Sequence, residues 1–257
     1  MKHYRYFAIL AAGAILTAAI PGLAQAAAKY KEIDVANGGS VKGKLTFEGA
    51  LPDDAVERIL ITKNPDVCGT GEREVVWVDV KDGALRGAFV FIDKIKEGKK
   101  WAEPEDGKYL VDQKGCRFRP WAQVIRPGVL FIRNSDQGVA HNMLTRNVFY
   151  GRKGRKKQMT LFNFQQPEVG DIEKKVKPKR GPLLATNCEV HNFMFGFMMA
   201  PGHPYAVVVG DDGSFSIDNI PPGAYKVKAW HPRFGIKETK LTVPGGGAVD
   251  ANFVFSQ

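Results

Sequence analysis

The chain has 257 residues, with 37 Lys and Arg against 27 Asp and Glu, a formal charge of +10 and three cysteines. That length supports one large core or two modest ones. An odd cysteine count excludes complete disulfide pairing.

Lys2 and Arg5 precede an apolar run from Phe7 to Ile20, which Pro21-Gly22 breaks and Ala24-Gln25-Ala26 ends. A positive start, a short apolar stretch and a small-residue cleavage site predict an export signal over residues 1–26. The run is too short for a membrane span, and no later segment approaches one. The mature chain is therefore expected to be periplasmic or secreted, with no integral membrane segment and no nucleic-acid partner.

Short runs of Val, Ile, Phe and Tyr between Gly, Pro, Asn and Asp predict β-structure almost throughout. Val41–Phe47 and Val75–Val80 alternate apolar and polar residues, and Lys81-Asp82-Gly83 predicts a turn. The continuous apolar run Ala88–Ile92 is expected to be buried on both faces. Residues 93–107 read as a charged surface loop. Val129–Asn134 predicts a strand that leads into Ser135-Asp136-Gln137-Gly138-Val139-Ala140-His141-Asn142.

Residues 146–180 hold eleven Lys and Arg against three acids. That surplus of eight equals the whole excess left once Lys2 and Arg5 are removed with the signal. With Pro167, Pro178 and Pro182, the stretch predicts a long basic connection. It is either a solvated loop or a docking patch for a partner with an acidic face, carried by Arg152, Lys153, Arg155, Lys156 and Lys157. Leu183–Cys188 reads as the next strand. Beyond Ala200-Pro201-Gly202, four alternating segments separated by Gly- and Pro-rich turns predict a small β-module.

The chemistry concentrates in Cys188-Glu189-Val190-His191-Asn192-Phe193-Met194, with His141 forty-seven residues upstream. One Cys, two His and a Met form the donor set of a mononuclear copper site, with a His₂Cys plane and a weak axial thioether. Zinc accepts Cys and His but not Met, and a fourth hard ligand is absent nearby. Met198 and Met199 are alternative thioethers. Cys68 and Cys116 lie in turn-rich sequence without a nearby His, and pairing them leaves Cys188 as the free thiol. His203 and His231, each before Pro, read as surface histidines. No Ser/His/Asp motif, phosphate loop or HExxH is present, so the chain is not expected to be an enzyme.

Cys188-x-x-His191-x-x-Met194 with His141-Asn142 upstream resembles the cupredoxins, most nearly the amicyanin and plastocyanin type. The resemblance implies a Greek-key cupredoxin sandwich over residues 27–200 with an N-terminal extension. It also implies one type 1 copper ion on His141, Cys188, His191 and Met194, and an Asn142 that ties the two ligand loops together. In such proteins the second His, here His191, presents its edge to solvent inside an apolar rim, to which Phe193, Phe195 and Phe197 could contribute. Asn192 departs from the Pro that often follows that His. Residues 201–257 (Gly210–Ile217 and Ile220–Trp230) resemble the carboxypeptidase regulatory-like, or transthyretin-like, β-sandwich, and 39–47 resemble its opening strand. The resemblance therefore implies an all-β chain in which the N- and C-terminal pieces pair.

The functional expectation is single-electron transfer between redox partners, one of them a protein with an acidic face such as a cytochrome. Copper storage, delivery or sensing is a second reading. A metal-free β-sandwich interaction protein is the third.

Overall fold

The computed structural model describes residues 29–257; the export signal expected over 1–26 lies outside them. Strand Gly39–Phe47 (β1) is followed by a hairpin of Val56–Leu60 (β2) and Glu72–Val76 (β3), whose connection holds the one-turn helix Pro65–Cys68 (α1). Then come Phe89–Ile92 (β4), Leu110–Gln113 (β5), Ala122–Val124 (β6), Gly128–Asn134 (β7) and the two longest strands, His141–Tyr150 (β8) and Lys156–Gln166 (β9). Gly170–Val176 (β10), Leu183–Asn187 (β11) and Phe195–Met199 (β12) complete the middle of the chain. Ala206–Val208 (β13), Ser214–Ile220 (β14), Gly223–His231 (β15), Gly235–Val243 (β16) and Phe253–Phe255 (β17) form the tail. The fold is all-β, and none of the described helices is long and apolar enough to cross a membrane.

The middle strands make one sandwich. One sheet runs β5–β7–β10, with Phe118–Arg119 paired outside β5; the other runs β6–β12–β11–β8–β9. The β5–β7 and β6–β12 pairs are parallel, while the remaining neighbours in these two sheets are antiparallel. Val111, Leu130, Ile132, Met143, Leu184 and Met198 fill the space between the sheets, alternating with outward-facing residues as the pleat requires.

A second sandwich is built from both ends of the chain. Its sheets run β13–β4–β15–β16 and β14–β1, with β1 also pairing β17 in parallel. Residues 39–47 thus pair with the tail. β4 also joins this sandwich, pairing with β13 and β15, and Thr46 of β1 pairs with Ala84. β4 is buried along its whole length. A strand covered on both faces has to lie between layers, and this one lies where the two sandwiches meet. Phe89, Phe91, Ala206 and Trp230 of the second sandwich pack there on Val148, Leu183, Phe197 and Met199 of the first.

The basic stretch 146–180 is not a long loop. It comprises the end of β8, a tight turn, the eleven-residue β9 and β10. β9 alternates (Met159, Leu161, Phe162, Phe164) but lies at a sheet edge, where lysines serve to discourage further strand pairing. Read as sequence, that protective charge looks like a loop.

Candidate metal centre

His141 is the first residue of β8, and Cys188 directly follows β11, the neighbouring strand. The loop between Cys188 and β12 turns tightly, with the Cys188 N–H donating to the Met194 carbonyl (2.9 Å) and the Met194 N–H to the His191 carbonyl (3.0 Å). A His141 ring nitrogen, the Cys188 Sγ and a His191 ring nitrogen lie within 4.8 Å of one another, all buried. The Cys188 Sγ is 3.7 Å from His191 Nδ1 and accepts the Asn142 N–H at 3.4 Å.

Asn142 links the two loops. Its Oδ1 accepts the Glu189 N–H (3.2 Å), while its Nδ2 donates to Asn163 Oδ1 (2.8 Å) and the Phe164 carbonyl (3.1 Å) on β9. The sequence reading missed Asp136. Its Oδ2 lies 2.8 Å from His141 Nε2, and its two oxygens accept the N–H groups of Gly115 (2.7 Å) and Cys116 (2.8 Å). Burial pushes the Asp136 carboxyl up, but the Cys116 and Gly115 amides and the His141 ring together hold it below the ordinary carboxylate value. An ionised carboxylate can only accept, so the proton shared by the pair sits on His141 Nε2, and Nδ1 is the nitrogen turned away from Asp136. That Nδ1 is buried without a hydrogen-bond partner.

His191 departs from the expected exposed edge, being only 1 % exposed. The β2–β3 hairpin and its connection fold over it. Asn64 Oδ1 sits 3.1 Å from His191 Nε2, and the Cys68–Cys116 disulfide places both sulfurs within 4.8 Å of a His191 ring nitrogen. Arg73 stacks on the Phe193 ring at 4.5 Å and donates to the carbonyls of Cys116 (2.6 Å), Cys68 and Gly115 (3.3 Å). Burial first, then the charges of His141, Lys63 and Arg73, push the His191 pKa down to about 4, so its ring is a neutral donor at neutral pH. The apolar rim also differs. Only Phe193 approaches His191 (5.7 Å), whereas Phe195 stacks on Trp77 and Phe197 meets Trp121.

Three methionines offer a candidate thioether donor. Met198 and Met199 lie on β12 opposite Leu184 and Leu183, and Met199 belongs to the core between the sandwiches. Met194 is buried in the ligand loop beside Cys188 and borders a groove of about 500 Å³ lined by Phe118, Trp121 and Phe195. A cleft of about 570 Å³ at Phe91, Tyr150 and Leu183 lies along the contact between the sandwiches, away from these donors.

The basic residues lie elsewhere. His141 pairs with Gln166 at one end of β8 and Tyr150 with Lys156 at the other. Arg152, Lys153, Arg155, Lys156 and Lys157 therefore gather at the far end, roughly 30 Å from the donors at the usual strand rise. There Lys156 Nζ donates to the Pro232 carbonyl (3.0 Å) on the tail sandwich. His203 and His231 are not surface residues: they are 7 % and 1 % exposed. Each Nδ1 accepts an N–H from two residues on, Tyr205 (3.3 Å) and Arg233 (3.2 Å) respectively. The same local turn that suggested exposure supplies the partner that permits burial.

No protein-family profile matches the sequence, and no curated protein does. Among solved structures, the chain is similar to a copper-containing nitrite reductase from Thermus scotoductus, at 17 % identity and TM-score 0.27, over 40 % of this chain and 24 % of that one. A purple cupredoxin from Nitrosopumilus maritimus matches at 16 % identity and TM-score 0.28, over 36 % of this chain and 99 % of that one. A reduced amicyanin variant matches at 17 % identity and TM-score 0.28, over 43 % of this chain and 97 % of that one. At such TM-scores the assignment of the centre rests on its own geometry.

Proposed function

We propose that the chain is an exported protein that holds one copper ion with His141, Cys188, His191 and Met194 and carries single electrons between redox partners. The observation that carries this reading is the buried, unpaired Nδ1 of His141, in a group where Cys188 and His191 offer the other donors. An apolar core leaves such a nitrogen orphaned only at a cost of about 1–3 kcal/mol, which a bound cation would remove. Two imidazoles, a thiolate and a thioether suit copper better than zinc or any hard cation.

Copper held there would supply a one-electron couple. The chain's own part is to keep the donors still. Asp136 fixes the His141 tautomer, the Asn142 N–H stabilises charge on the Cys188 sulfur, and the two hydrogen bonds inside the 188–194 loop limit its movement. Because the flap covers His191, the groove beside Met194, Phe195 and Trp121 is the shorter approach for a partner. Lys63 and Arg73 put positive charge near His191, which would suit an acidic redox protein. The tip at Arg152–Lys157 would orient such a partner from a distance. The tail sandwich is a scaffold in this reading.

Copper storage, delivery or sensing is the second reading, favoured by the flap that closes over His191. Addition of Cu(II) to the mature protein separates the two. Electron transfer requires an intense thiolate-to-copper band and a reversible couple, whereas tight Cu(I) binding without a coloured Cu(II) form supports copper handling.

A further inference from the structure

We propose that Cys68 and Cys116, once reduced, form with His191 a second site for a soft monovalent cation, Cu(I), that the disulfide form lacks. The proposal rests on the assignment of His141, Cys188 and His191 to the first ion. The two sulfurs and a His191 ring nitrogen already lie within 4.8 Å of one another, all three residues buried and no carboxylate in the group. Two thiolates and an imidazole select Cu(I) over harder cations.

One imidazole can serve both sites as a bridging imidazolate, because its nitrogens face different elements. Nδ1 lies 3.7 Å from Cys188 Sγ, and Nε2 lies 3.1 Å from Asn64 Oδ1 at the start of the turn that carries Cys68. The two cysteine backbones are anchored independently of the S–S bond. The Cys68 N–H donates to the Asn64 carbonyl (2.8 Å) and the Cys116 N–H to Asp136 (2.8 Å). Arg73 further joins them by donating to both carbonyls. Reduction therefore leaves the sulfurs as neighbours. A Cu(I) dithiolate carries one net negative charge, which a buried place does not tolerate alone. The Arg73 guanidinium beside both cysteines offsets it, against the Asp136 carboxylate that lies within 4.8 Å of the Cys116 sulfur.

The chemistry balances with an external thiol or phosphine as reductant. Two electrons and two protons convert the disulfide into two thiols, while the reductant becomes its disulfide or its phosphine oxide. The two thiol protons and the His191 Nε2 proton then leave to solvent as two S–Cu(I) bonds and one N–Cu(I) bond form, with copper Cu(I) throughout.

The test is a Cu(I) titration of the metal-free mature chain against a chromogenic Cu(I) chelator, without oxygen. One sample is kept in ascorbate, which leaves the disulfide intact; the other is reduced by a phosphine that is then removed. Thiol counting confirms one and three free thiols. The expected result is one Cu(I) per chain in the disulfide form and two in the reduced form. Cys68→Ser/Cys116→Ser should bind one under both conditions. If that variant does not fold, Cys116→Ala should hold any second ion at least tenfold more weakly than the reduced natural chain. One ion in both forms of the natural chain, or a second ion retained by the double variant, overturns the proposal. No ion in the disulfide form, with normal uptake after reduction, instead contradicts the first site.

Discussion

Asp136 decides which nitrogen of His141 is free. Asn is nearly isosteric, but its amide N–H₂ can face Nε2 only if that nitrogen accepts, which moves the ring proton to Nδ1. Asp136→Asn is therefore expected to weaken copper binding about 10–100-fold while largely preserving the sandwich, as measured by copper titration and circular dichroism. Unchanged affinity would show that the carboxylate does not set the tautomer. Cys188→Ser keeps the side-chain volume and removes the soft donor, so the thiolate-to-copper band should vanish with the β-structure intact. The donors were legible because Cys188, His191 and Met194 lie three residues apart on one loop. Asp136 was not, although it lies only five residues before His141: a turn Asp carries no mark of its partners, and the Gly115 and Cys116 amides that hold it arrive through the β5–β7 pairing.

At the scale of elements, the β2–β3 hairpin pairs with no other described strand, so as a two-stranded sheet it depends on what it covers. Its ties are Arg73, Asn64, buried Val75 and the disulfide. Arg73→Met should raise amide hydrogen exchange over residues 61–71 by tenfold or more and leave β8 and β11 unchanged; a uniform rise would show that the hairpin belongs to the main cooperative unit. The disulfide spans 48 residues, so Cys68→Ser/Cys116→Ser should lower unfolding stability by about 4 kcal/mol, read from denaturant midpoints. The Cys68–Cys116 pairing was readable by leaving Cys188 aside. The flap was not, because Asn64 meets His191 across 127 residues of sequence. The export expected from residues 1–26 argued against an unoccupied thiol, but nothing local announced that a disulfide would rest against His191.

At the scale of the whole molecule, two sandwiches share a third core at Phe89, Phe197 and Trp230, with the Trp230 indole N–H donating to Tyr150 Oη (3.0 Å). The all-β class was plain from periodicity. The exchange of β1 and β4 into the tail sandwich was only partly so, since β4 follows β3 in sequence yet pairs 117 residues further on, Val90 with Val207 opposite, as well as with β15. The tail sandwich also contributes to the acid limit, together with His191. Burial pushes His203 down to about 4 and His231 to about 3. Their folded pKa values lie below the unfolded value near 6.5, so the unfolded chain binds more protons in between. Stability is thus full above about pH 6.5 and falls as pH drops towards 4 and 3, by on the order of 2–3 kcal/mol for each histidine. Denaturant midpoints at pH 7 and pH 4 check this, and His203→Gln should flatten part of the slope. A midpoint independent of pH would contradict the buried, neutral state of both rings.

The most direct measurement is the visible absorption spectrum of the mature chain titrated with Cu(II), alongside the Cys188→Ser variant. An intense thiolate-to-copper band that saturates at one ion per chain in the natural protein, and is absent from the variant, is the predicted result. No band at any copper ratio, or a band that survives in Cys188→Ser, would contradict the assignment of His141, Cys188, His191 and Met194 to a single copper ion.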